Sequence, residues 1–163
     1  MALISLNVGS NIDRENQLRA GVKALRAKFG ELQLSSVYES AAVGFSGEAF
    51  LNLGVVLSSS LPLAELASWL RELEYAHGRP ADAGPRSART LDIDILTFDD
   101  LVGRFGKVEL PRPEILFNAH VLGPMAELQP AVLHPVEGIS YARLWEQYEY
   151  QGRVRTIPFN WQG

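Results

Sequence analysis

The chain has 163 residues, 47% hydrophobic and 21% charged, the size of one compact domain and too apolar for disorder. It contains no cysteine, which excludes disulfide scaffolds, thiolate zinc sites, iron–sulfur clusters and a cysteine nucleophile. The formal net charge of −4 argues against broad binding of nucleic acid but leaves room for a small basic pocket around a phosphorylated ligand. No apolar run approaches the ~20 residues that span a bilayer. The opening Met-Ala-Leu-Ile-Ser-Leu has neither a basic leader nor a long apolar stretch. The expectation is one domain over residues 1–163, cytoplasmic, with no membrane or nucleic-acid partner.

Residues 2–8 read as a strand broken by Gly9-Ser10-Asn11. Asn11 or Asp13 is placed to cap a helix whose face is Leu18, Val22, Leu25 and Phe29, with Gly30 at its C-terminal cap. Leu32, Leu34, Ser36 and Tyr38 alternate as a second strand, and 39–49 reads as a loop of small residues. A third strand is predicted at 50–57. Pro62 then opens a helix with Leu63, Leu66, Trp69, Leu70 and Leu73 on its apolar face, ended by Gly78. The arginine-rich stretch 79–90 precedes a fourth strand at 91–98. Strand, helix, strand, strand, helix, strand is the ferredoxin-like βαββαβ order, an α+β fold. Beyond it come a polar excursion around Gly103 and Gly106, a short strand near 108–110 and a helix from about His120 to Leu128. An aromatic-rich tail over 140–163 is read as a terminal helix with an irregular end.

Asp92-Ile93-Asp94 is the strongest chemical signal. Residues two apart on a strand share a face, roughly 7 Å apart along the chain, so Leu91, Ile93 and Ile95 face the core and both carboxylates project from the other side. Two such charges raise each other's pKa unless a cation lies between them, and magnesium takes one or two carboxylates together with water and phosphate oxygens. The plain alternative is an exposed acidic strand face. Arg79, Arg86 and Arg89 lie just upstream, which suits a polyphosphate clamp; the plain alternative there is weak surface ion pairs. No Walker-type glycine loop, dinucleotide fingerprint or nucleophile elbow occurs, and His77, His120 and His134 lack ligand spacing and are read as solvent-facing or capping residues.

A wider set of residues carries a resemblance. Gly9-Ser10-Asn11, Tyr38-Glu39-Ser40, Val43-Gly44, Phe50-Leu51-Asn52, Glu74 with Gly78-Arg79, Arg89-Thr90-Leu91-Asp92-Ile93-Asp94-Ile95-Leu96, Leu110-Pro111 and Pro124 to Pro130 follow one family's order and spacing. Over roughly residues 2–145 the chain resembles the 6-hydroxymethyl-7,8-dihydropterin pyrophosphokinases of folate synthesis. The resemblance implies transfer of pyrophosphate from ATP to the pterin hydroxymethyl group, releasing AMP. It implies two magnesium ions on Asp92 and Asp94, with Arg79 and Arg89 as further catalytic groups. The pterin falls to Ser40, Val43, Gly44, Phe50, Asn52 and His120, and ATP to Glu74, Arg79, Arg86, Arg89, Ile95 and Arg112. A monomer is expected.

The chain departs from the family pattern at several places. Pro85-Arg86-Ser87-Ala88-Arg89 replaces the usual basic–aromatic–Gly-Pro-Arg run, and Ala81 stands where a second loop arginine is common. Arg112, Asn118 and His120 replace a histidine, an arginine and a phenylalanine. Two other readings stay open at this level: a paralogue that binds pterin or nucleotide without efficient transfer, and a ferredoxin-like RNA-binding module. The second needs a basic sheet with exposed aromatics, where this chain offers two aspartates.

Overall fold

The structure is a computed structural model, and it describes residues 1–40, 49–78 and 90–163. The strands β1 (Ala2–Ser10), β2 (Gln33–Leu34), β3 (Val37–Ser40), β4 (Phe50–Ser59) and β5 (Asp92–Phe98) are joined at the edge by β8 (Val154–Ile157). The sheet runs β5-β1-β4-β3-β8, with β2 also on β4, and every pairing is antiparallel.

One sheet face is apolar. Ile4, Leu6 and Val8 of β1 alternate inward with Leu51, Leu53, Val55 and Leu57 of β4 and with Ile93 and Ile95 of β5. Helices α1 (Arg14–Phe29) and α2 (Leu63–Ala76) cover this face with Leu18, Val22, Leu25, Leu66 and Leu70. The predicted helical faces, the Gly30 cap at φ 81° and the βαββαβ order are all present. Asp13 precedes α1 but makes no side-chain cap; its φ of 50° turns the carboxylate aside, where it accepts a hydrogen bond from Asn16 Nδ2.

The other face meets α3 (Ala119–Leu128) and α4 (Tyr141–Gln147), whose core comprises Val121, Leu122, Met125, Ala126 and Tyr141 together with Leu96 and Ile115. A register shift opposite Ser5 and Leu6 turns Leu96 toward this second core, while Ile95 stays in the first. Gly54 lets α3 approach closely, since a Cβ there would stand 3.0 Å from Pro124 Cβ. Tyr38 Oη donates to Glu127 Oε1 at 2.7 Å, and Ser36 N–H donates to Glu127 Oε2 at 2.8 Å, fastening α3 to the sheet.

Several sequence expectations need correction. The strand predicted over 32–38 is two strands, because Ser35 leaves the ladder and grips Gly54 with its own N–H (3.0 Å) and its hydroxyl (2.8 Å). Glu39 and Ser40, read as loop, extend β3; Gly9 and Ser10, read as a break, extend β1. The polar excursion is a hairpin of β6 (Gly103–Phe105) and β7 (Val108–Leu110), turning at Gly106 with φ 66°. The tail is α-helical only in α4; a 3-10 turn over Gln151–Arg153 follows, and Val154–Ile157 then pairs with β3 as β8. Its Arg155 holds Glu39 at 2.6 Å, and Arg14 of α1 holds the other oxygen at 2.8 Å, so Glu39 sits below the usual carboxylate range because Arg155 and Arg14 hydrogen-bond its charged form. His134, read as solvent-facing or capping, is buried and caps no helix: its Nδ1 accepts from the Val136 and Glu137 N–H groups of the turn that follows it.

Candidate functional site

The face toward α3 carries the polar residues that the apolar strands skip. On β1 these are Ser5 and Asn7, with Gly9 beside them; on β4, Asn52, with Phe50 and Gly54 on the same face; on β5, Asp92 and Asp94. The register sets them in rows across the sheet. Tyr38, Asn52, Gly9 and Asp92 form one row, and Gly54, Asn7 and Asp94 form the next. Asn52 and Asp92 are therefore two strand spacings apart, about 10 Å between backbones. Gly9 keeps the space between them open: a Cβ on it would lie 2.4 Å from Asn52 Nδ2.

Asn52 is buried, and its Nδ2 donates to Asn7 Oδ1 at 2.8 Å. Its Oδ1 has no hydrogen-bond partner among the described residues. A buried acceptor left unmatched costs about 1–3 kcal/mol, and at a site such a group points to a ligand donor. Ser40 stands opposite Phe50 in register, one row further along the same face.

Asp92 and Asp94 project together, as their spacing predicts, while Ile93 and Ile95 are buried among the core residues. Arg112 reaches Asp94 Oδ1 at 3.5 Å and Glu114 Oε2 at 2.8 Å, and its backbone N–H donates to the Leu96 carbonyl at 2.9 Å. Burial raises the Asp94 carboxyl well above its ordinary value, with the charges of Asp92, Glu74 and Glu114 adding to that and Arg112 opposing it. The donors suit a hard divalent cation: an acidic pair on one strand face, negative charge in excess, and oxygen ligands throughout. Among the described residues no group of three or more His, Cys, Asp or Glu is placed to hold a metal, so substrate oxygens would complete the shell.

Glu74 of α2 is buried beside this pair. Its Oε2 accepts the Ile93 N–H at 2.7 Å, and its Oε1 accepts from Arg71 Nη1 at 2.8 Å. β5 is an edge strand, so this carboxylate satisfies a backbone donor that the ladder cannot, and it fixes the segment between the two aspartates. Strand alternation turns the backbone groups of Ile95 to the same edge, while its side chain belongs to the core. His120 opens α3; burial lowers its pKa against the pull of Asp92 and Glu114, leaving a neutral imidazole near the acidic pair.

The structure thus brings together Asn52, His120, Asp92, Asp94, Glu74 and Arg112, with Ser40 and Phe50 on the flank. Val43, Gly44, Arg79, Arg86 and Arg89 lie outside the described residues. Two residues escaped the sequence reading, Asn7 and Glu114. Asn7 had a usable signal: Ser5, Asn7 and Gly9 recur at every second position of an otherwise apolar strand. Among the described residues, hollows of about 470 Å³ by Phe29 and Leu32 and about 700 Å³ by Arg19 and Trp161 lie away from this face.

Comparison with known proteins adds independent findings. The family model described as 7,8-dihydro-6-hydroxymethylpterin-pyrophosphokinase (HPPK) matches residues 5–130. The 2-amino-4-hydroxy-6-hydroxymethyldihydropteridine pyrophosphokinase of Aquifex aeolicus is 33% identical over 140 residues, covering 83% of this chain and 86% of its own. Its Bacillus subtilis counterpart is 36% identical over 127 residues, covering 74% of each. A Plasmodium falciparum HPPK-DHPS structure aligns with 96% of this chain at a TM-score of 0.68 and 16% identity, a likeness of fold alone. This chain spans 47% of that longer one.

Proposed function

The chain belongs to the 7,8-dihydro-6-hydroxymethylpterin-pyrophosphokinase family, and from that premise we propose how its residues divide the work. The enzyme transfers pyrophosphate from ATP to 6-hydroxymethyl-7,8-dihydropterin in folate biosynthesis, leaving AMP. The hydroxymethyl oxygen bonds to the β-phosphorus as the bond from that phosphorus to the AMP oxygen breaks, and the hydroxyl proton is released to solvent. No protein nucleophile is needed; placement and electrostatics supply the catalysis.

The single observation that carries the division is the polar sheet face, with an unmatched acceptor at Asn52 and a carboxylate pair at Asp92 and Asp94 across Gly9. Asn52 Oδ1 accepts an N–H from the amide edge of the pterin. Phe50, Ser40 and the neutral His120 imidazole flank the ring, with Val43 and Gly44 completing that side. Asp92 and Asp94 would hold magnesium, two ions being expected with a triphosphate, and the metal would supply neutralisation of phosphate charge and polarisation of the attacked phosphoryl group. Arg112 exchanges its contact with Asp94 for phosphate oxygens, joined by Arg79, Arg86 and Arg89. Glu74 keeps the aspartate strand in register, and Ile95 offers only backbone to the nucleotide.

We further propose a monomer, because one chain supplies every group named, and a cytoplasmic location, because ATP is the co-substrate. No helix among the described residues is long and apolar enough to cross a membrane.

The test is AMP release on mixing the protein with ATP, magnesium and the pterin. Asp94→Ala is expected to abolish release while pterin affinity stays within about twofold. Equal loss of both would overturn the division between the two ends of the site.

A further inference from the structure

Pro124 stands inside α3 and has no N–H, so the His120 carbonyl four residues earlier loses its intrahelical donor. Asn7 Nδ2, from the middle of β1, donates to that carbonyl at 2.9 Å. A carbonyl only accepts, so the amide of Asn7 can face it only with its nitrogen. Its oxygen then faces Asn52, and Asn52 in turn presents its nitrogen, at 2.8 Å. The one free direction left for Asn52 Oδ1 is outward from this relay, where it has no partner among the described residues. Asn7 and Asn52 are both buried, so water does not compete for either bond.

We propose that Asn7 is a positioning residue that locks the Asn52 amide with its oxygen toward the substrate, making the site selective for a heterocycle edge that presents N–H donors. The inference rests on the pterin reading of the site given above. Neither amide is oriented by its own strand; the direction originates in the missing N–H of Pro124 and passes through two side chains. Without Asn7 the Asn52 amide is free to rotate by half a turn, and in that orientation its NH₂ opposes the substrate's own donors.

A double-mutant cycle separates this role from a structural one. Pterin affinity is measured calorimetrically, with magnesium and a non-hydrolysable ATP analogue, for the wild type, Asn7→Ala, Asn52→Ala and the double variant. The expected result is about a tenfold loss for Asn7→Ala, the scale of one net hydrogen bond, with affinity for the ATP analogue unchanged. In the Asn52→Ala background the Asn7 substitution is expected to have less than about a twofold effect. Wild-type affinity in Asn7→Ala, or a full tenfold loss added to that of Asn52→Ala, would overturn the proposal. Asn7→Ser, which still accepts a bond but is too short to span both partners, replaces Asn7→Ala if the latter does not fold. A wild type that fails to bind pterin would instead overturn the pterin reading itself.

Discussion

The two faces of the central strands are made from alternate residues of the same segments, yet they obey opposite rules. On the α1/α2 side, Ile4, Leu6, Val8, Leu51, Leu53 and Ile93 interlock with helical leucines, and the buried serines at the strand ends, Ser10 and Ser59, are hydrogen-bonded to Ile12 and Leu61. On the α3 side, Ser5, Asn7, Asn52, Asp92 and Asp94 occupy the intervening positions. Ser5 and Asn7 are satisfied there, by Gln129 Oε1 at 2.8 Å and by the His120 carbonyl at 2.9 Å. Asn52 Oδ1 is not. The apolar face stabilises the fold, and that stability supports a buried acceptor and a crowded carboxylate pair on its reverse. Stability and activity should therefore separate by residue parity.

The sharpest test of that separation is at the acidic pair. Asp92→Ala is expected to lower AMP formation by two to three orders of magnitude, the scale lost with one preorganised electrostatic group, while the urea midpoint stays at or above that of the wild type. Steady-state assays beside urea titrations check both halves, and a large fall in the midpoint would break the separation. Leu6→Ala, at a fully buried core position on the opposite face, should do the reverse. It should cost about 2–5 kcal/mol of stability and leave turnover per folded molecule within about twofold at low temperature.

Gly9→Ala is a smaller, more local perturbation. The added Cβ would stand 2.4 Å from Asn52 Nδ2, so the amide has to move. Pterin affinity should drop by about tenfold with little change in ATP affinity, measured by calorimetry. The smallest effect is expected at His134, whose pKa burial depresses. The unfolded chain then takes up a proton that the folded one resists, so the stability His134 contributes is present above about pH 6.5 and is lost as pH falls. Urea titrations of wild type and His134→Ala should show a gap that narrows from pH 7.5 to 5.5; a gap that widens would contradict the assignment.

Much of this division was legible in the chain itself. Alternation at Leu91, Asp92, Ile93, Asp94 and Ile95 is a local property of a strand, and the structure keeps it. The helical faces of α1 and α2 were legible for the same reason. What sequence periodicity does not carry is partnership at a distance. Val154–Ile157 is a strand because β3 offers it an edge and Glu39 draws in Arg155, more than a hundred residues away in sequence. The break between β2 and β3 depends on Ser35 finding Gly54. The alternation of Ser5, Asn7 and Gly9 marks a polar face on β1, but the partner of Asn7 is set only by Pro124, far along the chain, which exposes the carbonyl it serves. At the site, residue types were legible, whereas the orientation of Asn52 and the Arg112 contact with Asp94 required the fold.

The measurement that bears most directly on the polar face as the reaction site is a crystal structure of the enzyme with magnesium, a non-hydrolysable ATP analogue and the pterin bound together. The expected result is a pterin N–H within hydrogen-bond distance of Asn52 Oδ1 and magnesium between Asp92, Asp94 and the phosphates. A pterin seated away from Asn52, or a triphosphate held without contact to either aspartate, would contradict it.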